Sequence, residues 1–119
     1  AQVLPTGETA ANMLGLSTQV PLNYVYLTSG SARKIMVGKK TVTFKRCVPK
    51  NFACQSMFLA VLIQAMKAIG QERLTDEHCV IIKGLLMKNL PIESLDVDMK
   101  NAPLWVRHMV YNIIKEIDV

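Results

Sequence analysis

Positively charged side chains are concentrated in one short stretch of this 119-residue chain. Residues 1–50 hold seven Lys or Arg against a single acid, Glu8, which makes +6, whereas residues 51–119 hold seven against eight, which makes −1. A cluster of this kind attracts polyanions through its long-range field and can contact phosphate groups. The candidate phosphate-contacting residues are Arg33, Lys34, Lys39, Lys40, Lys45 and Arg46.

The same stretch also has a purely structural explanation. Ile35, Val37, Val42 and Phe44 occupy alternate positions, which is the spacing of β-strands, and Gly38 between the two runs suits a tight turn. We therefore expect a two-stranded ribbon with one face on a core and a cationic rim. Because lysines on an edge strand prevent pairing with other sheets, the charge pattern alone does not choose between phosphate binding and edge protection.

The remaining candidates for catalysis form no recognisable pattern. The chain has no glycine-rich phosphate loop, no HExxH and no GxSxG signature. Cys47, Cys54 and Cys79 are odd in number and lack CxxC spacing, so we expect free thiols in a reducing cytoplasm. His78 is beside Cys79 and His108 is the other histidine, but a nucleophilic pair needs a fold that brings its partners together.

Acidic and aromatic residues offer two weaker candidates for a site. Glu93, Asp96 and Asp98 are spaced three and two residues apart, which predicts a solvated face of a short helix and not a converging metal site. Tyr24 and Tyr26 could form a stacking platform for bases beside the basic strands, although such a pair is more often simply packed. The sequence therefore predicts a protein that is not an enzyme and that binds no metal or cofactor.

The elements that must position these residues predict an α+β fold for one domain covering residues 1–119. Hydrophobic residues make up 50% of the chain, and strand patterns precede helix patterns. We expect a small antiparallel β-meander in the N-terminal half, built from a strand at 24–27 and the basic ribbon, packed on a C-terminal helical bundle. No apolar run is long enough to span a membrane and no signal peptide is visible, so we expect a cytoplasmic protein.

Capping and stop signals predict where the helices lie. Thr6 and Thr75 are expected N-caps, and Gly15 and Gly70 are expected helix ends. A helix at 57–69 is apolar nearly all round and therefore belongs in the centre of the fold. A short acidic helix is expected at 92–98, and a final helix opened by Pro103 is expected to present one apolar face, formed by Trp105, Met109, Ile113 and Ile117.

The run PTGETAANMLGLSTQVP at residues 5–21 resembles the signature of a short, transcriptional-regulator-like subfamily of AbiEi-type antitoxins from bacterial type IV toxin–antitoxin systems. The likeness continues through YLTSG at 26–30, the basic ribbon around Gly38 and APLWVR at 102–107, and covers about residues 3–114. In that family this segment follows an N-terminal winged helix-turn-helix domain, which is missing from the 119 residues. The resemblance thus implies a C-terminal domain.

The resemblance also implies a function. AbiEi-type proteins repress their own operon by binding repeats in its promoter, and they neutralise a nucleotidyltransferase-like toxin without forming a stable complex with it. We accordingly expect the basic ribbon to contact the DNA backbone. Ser17, Thr18 and Gln19 are a further candidate functional surface, although their side chains could equally satisfy backbone groups of the loop.

The alternative function is a protein-interaction or dimerisation module that does not bind DNA by itself. In that case the apolar face at 105–117 or the methionine-rich helices would bind a partner protein, another copy of the chain as a homo-oligomer, or the missing N-terminal domain. An oligomer that responds to protein concentration and not to salt would favour this alternative.

Overall fold

The fold places four strands before most of the helices. A computed structural model describes residues 2–47, 53–90 and 92–117. The predicted α+β class, with N-terminal strands and C-terminal helices, is confirmed. Within these ranges no helix is long and apolar enough to cross a membrane. The elements are β1 Val3–Pro5, α1 Gly7–Met13, β2 Asn23–Thr28, β3 Arg33–Val37, β4 Lys40–Arg46, α2 Met57–Ile69, α3 Asp76–Asn89, α4 Leu95–Met99 and α5 Leu104–Ile117.

The strand order of the sheet is β1-β2-β4-β3, which differs from the order of the expected meander. β3 and β4 form the predicted antiparallel hairpin, and Gly38, with φ at 63°, makes the two-residue turn. However, β4 inserts between β2 and β3 and runs parallel to β2. Periodicity identifies strands but does not encode which of two hairpin strands becomes the neighbour, and here the longer and less exposed strand takes the inner place.

We expected one face of the hairpin to lie on the core, but the structure does not show this. All five residues of β3 are exposed, including Ile35 at 39% and Val37 at 60%. Leu4 of β1 is buried, and Leu27 of β2 packs against the core, so the helices cover the other edge of the sheet. The hairpin therefore extends away from the helices.

The helix α2 lies at the centre of the fold, as its composition predicted. Leu59, Leu62 and Met66 are fully buried, and α2 contacts α1, β1, α4 and α5. The buried face of α5 is formed by Val106, Val110 and Ile113, of which only Ile113 belongs to the predicted set. Trp105, Met109 and Ile117 flank that face and pack, half-buried, against the core, so the predicted set is not a free surface.

The predicted helix ends lie where the capping signals place them, except that the short acidic helix expected at 92–98 spans Leu95–Met99. Thr6 and Thr75 are the N-caps of α1 and α3, and the helix α2 ends at Gly70. Thr9, fully enclosed, accepts a hydrogen bond from the Val25 N–H at 2.9 Å, and the Thr6 hydroxyl donates to the Gln64 side-chain oxygen at 3.0 Å. These polar residues of the 5–21 run therefore join the sheet to α1 and α2.

Candidate nucleic-acid interface

Strand alternation sorts the cations of the hairpin onto two faces of the sheet. The register pairs Tyr24 with Val42, Tyr26 with Phe44, and Arg33 with Phe44, so these side chains share one face. The opposite face carries the alternate residues, and we call it the threonine face: Lys34, Thr41, Thr43 and Lys45. The first face is called the aromatic face: Tyr24, Tyr26, Arg33, Ile35, Val37, Lys40, Val42, Phe44 and Arg46.

Two cations of the aromatic face are held against aromatic rings. The Arg33 guanidinium lies 5.7 Å from the centroid of the Phe44 ring, and that ring also stacks on Tyr26, with centroids 5.7 Å apart and planes at 24°. The Lys40 ammonium lies 5.5 Å from the Tyr24 centroid and donates to the Tyr24 hydroxyl at 3.3 Å. Cation–π contacts at exposed sites contribute about 0.5–1 kcal/mol each. They restrict the two side chains while both residues stay exposed to solvent.

The sheet cations are not neutralised by carboxylates of the described residues. Glu8 is the only acid among residues 1–71, and its carboxylate accepts a hydrogen bond from the Ser17 hydroxyl. The one ion pair in the described ranges joins Lys83 to Glu116 at 3.8 Å, on the helical side. Cations without an intramolecular partner are available to an external anion.

All six predicted phosphate-contacting residues are exposed, but the structure does not bring them together at one place. Arg33, Lys40 and Arg46 share the aromatic face, whereas Lys34 and Lys45 lie on the threonine face and Lys39 is in the turn. The predicted cluster is thus two surfaces joined at the turn.

The aromatic residues contribute more to this exposed surface than the sequence predicted. Tyr24 and Tyr26 are half-exposed and lie outside the set of residues that form or contact the hydrophobic core, so they are not ordinary core tyrosines. Phe44 was assigned only to the apolar side of the ribbon, and its contact with Arg33 was missed. The alternation of residues 42–46 predicts which side chains of this strand share a face with Phe44. It does not identify the residue opposite Phe44 on the neighbouring strand, because that depends on the strand order.

The loop that carries Ser17, Thr18 and Gln19 is held by its own polar groups. The Ser17 hydroxyl accepts from the Gln19 N–H at 3.3 Å, and the Asn12 amide donates to the Ser17 and Gln19 carbonyls at 3.4 and 2.8 Å. Together with its bond to Glu8, this gives the Ser17 side chain a role in loop structure. Thr18 and Gln19 are exposed and remain a candidate surface.

The acidic residues do not form a solvated face as a group, contrary to expectation. Glu93 and Asp96 are exposed, but Asp98 is fully buried and accepts the N–H groups of Gln55 and Ser56 at 2.8 and 2.9 Å. These groups precede α2, so Asp98 stabilises the start of the central helix, where the helix dipole favours an anion. Within the described ranges, no group of acidic, His or Cys side chains could hold a metal ion.

Two of the thiols, Cys54 and Cys79, and one histidine, His78, also have structural surroundings. Burial is the main cause that raises the pKa of the Cys54 and Cys79 thiols, which keeps them protonated and poorly nucleophilic. His78 is beside Cys79 in sequence, but its Nδ1 accepts the Thr75 N–H at 3.1 Å. Its Nε2 therefore carries the proton and donates to the Leu16 carbonyl at 3.1 Å. Both ring nitrogens are used in holding α3 to the loop after α1.

Comparison with known proteins gives one match. Residues 1–95 match a family of unknown function (DUF6088). The matched range contains the whole sheet and every residue of the aromatic face. No curated protein and no solved structure matches the chain.

Proposed function

The chain belongs to the DUF6088 family, whose function is unknown, and we propose that its domain binds DNA through the aromatic face of the sheet. The observation that carries the proposal is the placement of Arg33 and Lys40. Each is exposed, each lies against an aromatic ring, and neither has a carboxylate partner among the described residues. A phosphate group is the anion that such a surface fits, because guanidinium and ammonium groups donate charge-assisted hydrogen bonds to its oxygens.

The aromatic rings favour direct phosphate contacts over non-specific electrostatic attraction to DNA. A free lysine or arginine loses rotational freedom when it binds, at about 0.5–1.5 kcal/mol per side chain. Contacts with Phe44 and Tyr24 restrict Arg33 and Lys40 beforehand, so less freedom is lost on binding. Contacts of this type position a protein on DNA without reading the base sequence.

The wider proposal places this DNA contact in a regulator. We infer a non-enzymatic, cytoplasmic antitoxin and repressor of the AbiEi type, acting on the promoter of its own operon and opposing a nucleotidyltransferase-like toxin. The resemblance of residues 5–21, 26–30 and 102–107 supports this assignment, and the exposed cations of the aromatic face fit the DNA-backbone contacts that a repressor needs.

The alternative of a protein-interaction module has one supporting observation. Ile35, Met36 and Val37 of the edge strand β3 are exposed at 39%, 65% and 60%. By contrast, the predicted apolar face at 105–117 packs against the core and is not a free surface. Ile35 and Val37 pair with Val42 and Lys40 and so lie on the same side of the sheet as the aromatic rings. The two functions therefore differ in the class of partner, DNA or protein, and not in the side of the sheet that is used.

A nuclear magnetic resonance titration of the chain with a short DNA duplex separates the two functions. We expect the side-chain resonances of Tyr24, Tyr26 and Phe44 to shift with duplex concentration while those of Trp105 stay constant. Shifts confined to Trp105, or the absence of any shift at low salt, would refute DNA binding by the aromatic face.

A further inference from the structure

The outer edge of β3 directs backbone groups away from the sheet. The Thr41 N–H donates to the Leu22 carbonyl at 2.8 Å, so odd-numbered residues of β4 bond towards β2 and even-numbered ones towards β3. Lys40, Val42 and Phe44 therefore bond to their partners in β3, which are Val37, Ile35 and Arg33. It follows that Lys34 and Met36 direct their N–H and C=O groups outwards.

This edge has little of the protection that edge strands usually carry. The strand RKIMV contains no proline, and its cations, Arg33 and Lys34, lie at one end. The three residues after them are apolar and exposed. An exposed edge with apolar side chains is a template for the addition of another strand.

We propose that the added strand is β3 of a second copy of this chain, paired antiparallel about a two-fold axis at Ile35. In this register Ile35 lies opposite Ile35 of the partner subunit. Lys34 lies opposite Met36 of the partner subunit, and Arg33 opposite Val37 of the partner subunit. The outward groups of Lys34 and Met36 make the hydrogen bonds, while the Ile35 pair is the non-hydrogen-bonded one.

Strand length and charge select this register over its neighbours. β3 consists of Arg33–Val37, so only a pairing centred on its middle residue, Ile35, places every residue of the strand opposite a residue of the partner strand. A pairing centred on Met36 matches only three residues of each strand, and one centred on Lys34 matches three and also puts that lysine opposite itself. Like charges directly opposite one another destabilise a strand pair, and the pairing centred on Ile35 has none.

The two-fold axis stands perpendicular to the sheet, so the two aromatic faces lie on the same side of one eight-stranded sheet.

The dimer itself does not depend on DNA binding. Its salt dependence is opposite to that of DNA binding, because salt screens the repulsion between two chains of net charge +5 and therefore favours the dimer. Stable interfaces bury more than about 1,000 Å², and a pair of five-residue strands is smaller, so we expect a weak dimer at high concentration.

Cross-linking tests the register. In the proposed dimer the two Cα atoms at position 35 are about 4.5 Å apart, within the disulfide range of about 4.4–6.8 Å. The two Cα atoms at position 37 are four residues apart along the strands, about 13 Å. Under mild oxidation of the full chain, with the linked peptides mapped by mass spectrometry, we expect Ile35→Cys to form its dimer at least about tenfold faster than Val37→Cys. Equal rates, or no cross-link in either variant, would overturn the register.

Sedimentation equilibrium tests the dimer without a cross-link. Met36→Pro removes an outward N–H and leaves the backbone bonds to β4 intact, since the backbone of Met36 bonds away from β4. Of the bonds to β4 it loses only the weak one that the Thr41 hydroxyl donates to the Met36 sulfur at 3.5 Å. We expect the unmodified chain to associate with rising concentration, more tightly at high salt, and Met36→Pro to stay monomeric with a nearly unchanged thermal midpoint. An unmodified chain that stays monomeric, or a variant that associates equally well, would refute the strand pairing.

Discussion

Two charge-matched double variants distinguish contact with DNA from general electrostatic attraction. Arg33→Gln with Lys40→Gln removes both ring-held cations of the aromatic face, and Lys34→Gln with Lys45→Gln removes two cations of the threonine face. Each pair lowers the net charge of +5 by two, so both variants lose the same long-range attraction. A difference between them reports which face contacts phosphates.

The expected size of the difference follows from counterion release. Each phosphate contact contributes about 0.9 to the slope of log K against log salt concentration, which at about 0.1 M salt is about eightfold in affinity. If Arg33 and Lys40 each contact one phosphate, their loss weakens binding by about 60-fold and makes the slope shallower by about 1.8. The threonine-face variant should keep the slope of the unmodified chain.

Fluorescence anisotropy with a labelled duplex at four salt concentrations measures both quantities. Thermal unfolding of each variant checks that the fold is retained, since the substituted side chains are exposed and the sheet is held by other residues. Equal loss of affinity and slope in the two variants would show that only net charge matters. A greater loss in the threonine-face variant would place the DNA on the opposite side of the sheet.

Three further predictions concern the residues that hold the fold. His78→Ala should lower the free energy of unfolding in urea by about 1–2 kcal/mol, because it removes the acceptor of the Thr75 N–H, which is one half of the α3 capping box, and the bond to the Leu16 carbonyl. His78→Gln should lose less, since glutamine can keep the capping box, and equal losses would contradict this role. Asp98→Ala should destabilise by about 2–4 kcal/mol in the same assay, and more than Asp98→Asn, which keeps one acceptor; a loss no larger than for Asp98→Asn would refute it. The hydrogen bond to Asp96 chiefly raises the pKa of Tyr111 to about 12 from 10.0, so Tyr111 favours folding below about pH 10. That contribution should vanish as pH rises through about 12, so the difference in unfolding midpoint between the unmodified chain and Tyr111→Phe should shrink over this interval, and a constant difference would refute it.

Local signals in the sequence were sufficient to place most elements of the fold. Thr75 and Gly70 marked helix boundaries because caps depend on a few neighbouring residues, and the apolar run of α2 placed that helix in the core. The order of the strands could not be read in this way. It depends on which strand of the hairpin lies beside β2, and residues 33–46 alternate in the same manner in either arrangement.

The sequence singled out the cations of the candidate site but did not predict how they are divided between the two faces of the sheet. Charge counting identified Arg33 and Lys40 together with Lys34 and Lys45, since composition does not distinguish the faces of a strand. Separating them required the cross-strand register, which also places Phe44 beside Arg33. Asp98 was missed as a buried group because its partners are the backbone N–H groups of residues more than 40 positions away.

DNA binding by the domain is tested most directly with the unmodified chain and one duplex over a salt series from about 0.02 to 0.3 M. We predict a linear fall of log K against log salt concentration, with a slope of about −1.8 or steeper, corresponding to contacts from Arg33 and Lys40. Absence of binding at the lowest salt concentration, or an affinity that does not change with salt, would contradict a phosphate-binding role for the aromatic face.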